Sequence, residues 1–204
     1  QQPQSTQLQR LLSAGRDASE YAHDAVTSIN RPFDGMRPGQ IGMGLLRIAA
    51  TPVNAIVQKS RADNVTGNQE PTAADNPSAN VRNPSSQYRE IHQTARAALQ
   101  FGVGNCYEKA CIAAVNLSES GIHPVEIVNL TDRSGQNNLH AFVVVNRAAN
   151  STLSDPSTWG PDAVVVDPWK GESYPANQIT SHMNSPEHGG VTGRLAIANT
   201  VTTR

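Results

Sequence analysis

Apolar side chains recur at i, i+3 and i+4 near the start of the chain, at Leu8, Leu11, Leu12, Tyr21, Ala22, Ala25, Val26 and Ile29. That spacing lines one face of a helix. Residues 7–30 therefore predict one amphipathic helix, or two broken at Gly15. The next stretch, RPFDGMRPGQIG, carries two Pro and three Gly and reads as a loop. Residues 43–60 are apolar at helical spacing, with Pro52 ending or kinking the helix. Both segments read as packed or partner-binding helices, with a membrane-surface role as the weaker alternative because their basic face is thin. Residues 61–86 hold almost no large apolar side chain and are rich in Asn, Pro, Ala, Ser and Asp. They bury too little surface to offset their ordering entropy, so a linker or long exposed loop is expected.

The pattern tightens from residue 87. QYREIHQTARAALQF has Tyr88, Ile91, Ala95, Ala98 and Leu99 at helical spacing. CYEKACIAAVNLSESG reads as a second helix, ended by Gly121. Strands are predicted at 123–131, 139–147 and 162–169, and the three consecutive Val in each of the last two indicate burial on both faces. GESYPANQITSHMNSPEHGG reads mostly as loop, and RLAIANTVTT as a late strand or short helix. The expected organisation is a helical N-terminal segment (1–60), a linker (61–86) and a core domain (87–204). The expected fold class is α+β, with a helix packed on an antiparallel sheet.

Composition narrows the function. The 204 residues include 16 basic and 17 acidic side chains, for a net charge of −1. No clustered basic excess marks a nucleic-acid footprint, so no nucleic-acid partner is expected. No apolar run of about 18 residues predicts a membrane span. The first residues, QQPQSTQLQR, lack the charged and apolar regions of a secretory signal. The two cysteines, Cys106 and Cys111, lie five apart. On one helix they would point about 140° apart, so a disulfide between them is not expected. The chain reads as reduced, which suits work in a cytosol.

Three polar residues stand at ends of predicted elements: Cys106 after the turn GVGN, His140 opening HAFVVV, and Asp167 closing AVVVD. Only a thiolate attacks, and a free thiol has a pKa of about 8.5. A helix N-terminus favours the anion. An imidazole can take the proton, and a carboxylate can fix the imidazole's tautomer and charged form. The Cys106 backbone N–H is available to a developing oxyanion, and Gln100, six residues earlier, could donate a second hydrogen bond. Each residue also has a plainer role. Cys106 could be a small buried hydrophobe, His140 a bonded strand-end residue and Gln100 a solvated one. Asp167 could cap a turn with Pro168, with Asp155 and Asp162 as fallbacks. Cys111 reads as core, and so does Trp169 rather than a cover for the site. The Cys and His residues do not fall at metal-ligand spacing, and neither a phosphate-binding loop nor a nucleophile elbow is present.

Together, GNCYEKA, LHAFVVV and VVVDPW resemble the Cys-His-Asp core of the papain-like and transglutaminase-like superfamily. They most resemble the thiol proteases and glutamine deamidases among bacterial effectors and toxins. The resemblance covers about residues 88–170. It implies Cys106 as nucleophile, His140 as base, Asp167 as orienting acid and Gln100 as oxyanion donor, with no metal and no cofactor. It also implies secretion by a bacterium, a host protein as substrate in the host cytoplasm, and a secretion chaperone as a partner. The insert AANSTLSDPSTWGP between the His and Asp strands departs from the pattern and reads as a specificity loop. The expected activity is hydrolysis of a protein amide, as a protease or a glutamine deamidase. Acyl transfer on the same core is the alternative. A reading of another class is a binding module worked by the N-terminal helices.

Overall fold

A computed structural model describes residues 5–28, 84–131, 138–183 and 194–201. The loop expected at 31–42, the helix at 43–60 and nearly all of the linker lie outside the described residues.

The first helix, α1, runs unbroken over Thr6–Ala25, capped where Ser5 Oγ accepts from the Leu8 N–H at 3.0 Å. Gly15 does not break it. A Cβ there would stand 2.8 Å from Val166 Cγ2 and 3.1 Å from Ser173 Cβ, so glycine lets the helix lie directly on the sheet. Helix α2 spans Pro84–Phe101 and α3 spans Cys106–Glu119. After α3, Gly121 takes φ +75°, and its N–H reaches the Ser118 carbonyl. This is the left-handed helix end expected of glycine.

Strand β1 covers Val125–Thr131, β2 Asn138–Val145, β3 Val164–Asp167, β4 Glu172–Pro175 and β5 Arg194–Val201. They form one sheet ordered β4-β3-β2-β1-β5, and every pairing is antiparallel. The class is α+β, and the late segment resolves as a strand. GESYPANQITSHM is more structured than its polar composition suggests. It supplies β4, a 3-10 turn at Ala176–Gln178 and the short helix α4, Ile179–Met183. Tyr174, Ile179 and Met183 are buried there, three anchors too few to give a periodic signal.

Alternation along the strands divides the core. Ala141, Val143, Val145, Val164 and Val166 face the layer of α1, α2 and α3. Phe142, Val144, Val128 and Val165 face a second cluster with Trp159, Tyr174 and Met183. Trp159 is fully buried, and its indole N–H donates to the Thr152 carbonyl at 3.1 Å. The insert read as a specificity loop is thus anchored beneath the sheet by this indole.

Helix α3 is central, and Ala110, Ala113 and Ala114 are fully buried in it. Small side chains on several faces let neighbouring helices and the sheet approach closely. Helix α1 belongs to the same core through Leu8, Leu11, Ala18, Ala22 and Val26. Burying each large aliphatic side chain contributes about 1.5–3 kcal/mol. The sequence division at residue 60 therefore separates pieces that the fold joins.

Candidate active site

The turn before α3 is held by its own sequence. Asn105 sits extended at the helix entrance, and its N–H donates to Glu108 Oε2 at 2.9 Å. This is the reciprocal half of a capping box, and it fixes how the chain enters the helix. Gly104 allows the close approach, since a Cβ there would lie 2.7 Å from Glu108 Cβ. The segment leaving α1 runs beside the turn. The Thr27 N–H donates to the Gly102 carbonyl at 3.0 Å, and the Gly104 N–H donates to the Thr27 carbonyl at 3.1 Å. Cys106 is the first residue of α3 and is partly exposed. Its backbone N–H is among those with no partner inside the helix.

His140 lies 34 residues later on β2, and Asp167 ends β3. Both are buried, at 6% and 1% relative exposure. His140 Nε2 meets Asp167 Oδ2 at 2.9 Å. The other carboxylate oxygen, Oδ1, accepts the Trp169 N–H at 3.1 Å. The Cys106 side chain lies close enough to the same imidazole to favour its charged form. Burial disfavours the imidazolium, but the charge and hydrogen bond of Asp167, with the contact to Cys106, outweigh it. The His140 pKa is raised to about 10. An imidazole whose protonated form is this favoured is a competent acceptor for a thiol proton.

Cys106, His140 and Asp167 therefore converge from a helix start and two strand ends. The fallback carboxylates do other work. Asp155 caps the 3-10 turn at Pro156–Thr158, and Asp162 accepts from Ser5 Oγ. Cys111 is fully buried in the helical layer of the core. Gln100 stands exposed on the last turn of α2, and no hydrogen bond among the described residues joins it to the three. His23 Nδ1–H donates to the Trp169 carbonyl, His182 stacks on Tyr174, and His188 lies outside the described residues.

Several neighbours went unread in the sequence. Ser19 Oγ on α1 donates to the Asp167 carbonyl at 2.9 Å and to the Glu172 carbonyl at 3.0 Å. His23 Nδ1 is 2.8 Å from the Trp169 carbonyl. Lys109 is buried one turn into α3. A Glu and a Lys inside an otherwise apolar helix, at CYEKACIAA, were the available signal. Buried charges of this kind require partners.

No protein-family profile, curated protein or solved structure matches the chain. The reading of the site consequently rests on its own geometry. No group of three or more His, Cys, Asp or Glu suited to a metal occurs among the described residues. No described helix is long and apolar enough to cross a membrane.

Proposed function

We propose that the protein is a cysteine-dependent hydrolase of protein amides, built on a papain-like or transglutaminase-like core. One observation carries the reading. A partly exposed thiol at a helix start lies beside an imidazole and favours its charged form, and a buried carboxylate holds that imidazole at 2.9 Å. A merely structural cysteine needs neither partner.

In the proposed reaction, His140 takes the Cys106 proton and the sulfur attacks the amide carbonyl. The Cys106 backbone N–H stabilises the developing oxyanion. The tetrahedral adduct collapses as His140 returns the proton to the leaving nitrogen, giving a thioester. A water then loses a proton to His140 and attacks the thioester. The carboxylic acid departs, and the sulfur regains its proton. If the amide is a Gln side chain, ammonia leaves first. If it is a peptide bond, the leaving group is a new N-terminus. An amine that replaces water in the second step makes the reaction acyl transfer. A host protein as the substrate rests on the resemblance of the sequence motifs.

The test is site-resolved alkylation followed by turnover. Iodoacetamide at neutral pH should label Cys106 far faster than Cys111, and Cys106→Ala should abolish conversion of a responsive protein substrate. Intact mass then identifies the branch, as a gain of about one dalton for deamidation or two shorter chains for proteolysis. Equal, slow labelling of both cysteines would sink the hydrolase reading.

A further inference from the structure

Lys109 lies on α3 one turn after Cys106 and is only 4% exposed. Lysine is almost never this buried without partners. Its Nζ donates to the His23 carbonyl of α1 at 3.1 Å and stands 5.7 Å from the centre of the Trp169 ring, within cation–π range. The same Trp169 donates its N–H to Asp167 Oδ1 and meets His23 Nδ1 through its carbonyl. The contacts close a loop from Lys109 through His23 and Trp169 to Asp167, and from there through His140 to Cys106.

We propose that Lys109 is a positioning residue of the site, whose buried ammonium ties the Cys106 helix to α1 and to the turn after Asp167 and electrostatically favours the sulfur anion. This rests on the hydrolase reading above. The physical reason is a count of charges. With the sulfur ionised, Cys106 and Asp167 are anions balanced by His140 and Lys109 as cations, with the buried carboxylate of Glu108 beside them. Without Lys109 the set loses one positive charge in a poorly solvated place, where Coulomb terms are amplified. Protonating the sulfur relieves it. The charges that bear on Lys109 are Asp24 from α1, Asp167 from β3 and Cys106 of its own helix. His140 of β2 pairs with that Asp167, and Glu108 precedes Lys109 on α3. Burial pulls the Lys109 pKa down to about 8 against these three negative neighbours, so the ammonium persists at neutral pH.

The experiment measures the rate of Cys106 alkylation by iodoacetamide from pH 5 to 9, resolved by peptide mass spectrometry. In Lys109→Met the half-maximal rate should move to higher pH, with alkylation near pH 6.5 slowed roughly tenfold, the size of one pH unit. Lys109→Arg should keep the wild-type midpoint, because the charge remains. A Lys109→Met profile that overlays the wild type, even with a lowered melting temperature, would overturn the proposal. A second measurement needs no variant. Capping Cys106 as an S-methyl disulfide with methyl methanethiosulfonate removes the anion, and lysine Cε NMR follows Lys109. Its titration should move to lower pH after capping, and an unmoved titration would also overturn the proposal. Wild-type Cys106 reacting no faster than Cys111 would instead sink the parent reading and this one with it.

Discussion

Replacing Asp167 with Asn keeps the side chain's shape and removes its charge. His140 loses the partner 2.9 Å away that favours its imidazolium. The imidazole's ordinary pKa of 6.5 is raised to about 10 in the fold. The folded value is the higher one, so the stabilisation is complete below pH 6.5 and is lost as pH rises through about 10. At about 1.4 kcal/mol per unit the ceiling is roughly 5 kcal/mol, in line with the roughly 3–5 kcal/mol cost of breaking a buried pair. Lys109 acts with the opposite sign. Burial lowers its pKa from 10.5 to about 8, so its penalty relaxes above pH 8 and masks the histidine there. The clean window is pH 6.5–8, where the unfolded chain releases the histidine proton and the folded chain keeps it. In a Cys106→Ala background, where no thiol gives up a proton in the same window, stability should fall there by about 2 kcal/mol. In urea, followed by far-UV circular dichroism, that is a midpoint lower by about 1 M at an m-value near 2 kcal/mol/M. Adding Asp167→Asn to that background should give a protein about 3 kcal/mol less stable at pH 6.5 that shows no such decline. Parallel curves for the two proteins would refute the view that Asp167 holds His140 charged.

Three further outcomes follow from the packing around the site. Gly15→Ala sets a Cβ 2.8 Å from Val166 Cγ2. Overpacking of about 1–3 kcal/mol should exceed the usual helix gain of about 0.5–1 kcal/mol, and calorimetry should show a melting temperature lower by several degrees. Ser19→Ala removes a fully buried hydroxyl that donates to the Asp167 and Glu172 carbonyls. It should cost about 1–3 kcal/mol in urea denaturation and slow Cys106 alkylation less than Asp167→Asn does. Glu108→Ala leaves the Asn105 N–H without its carboxylate. It should cost about 1–2 kcal/mol, and faster amide exchange at residues 105–108 would check that the loss sits at the start of α3.

The second half of the chain was legible because its elements are strongly patterned. Consecutive valines at 143–145 and 164–166 leave little choice but buried strands, and Gly121 marks the end of a helix under any packing. Polar residues at the ends of such elements, as at Cys106, His140 and Asp167, are noticeable because the neighbouring pattern is so apolar. Gln100 shows the weakness of spacing alone. Six residues from the thiol in sequence, it ends on an exposed helical turn. The anchoring of the insert by Trp159 went unread for a related reason. A polar loop holding one aromatic has no period, so its anchoring under the sheet is invisible until the sheet exists.

Local chemistry in the sequence determined where helices and strands form, which cysteine opens a helix and which is core, and that the class is α+β. These follow from side-chain periodicity, turn residues and capping, which act over a few neighbours. Only the tertiary structure decided that α1 is part of the site. The hydroxyl of Ser19, the carbonyl of His23 and the bare backbone at Gly15 reach residues about 150 positions away, or the buried amine of Lys109. Contacts over such separations depend on the whole sheet and helix layer being assembled, and no local pattern encodes them.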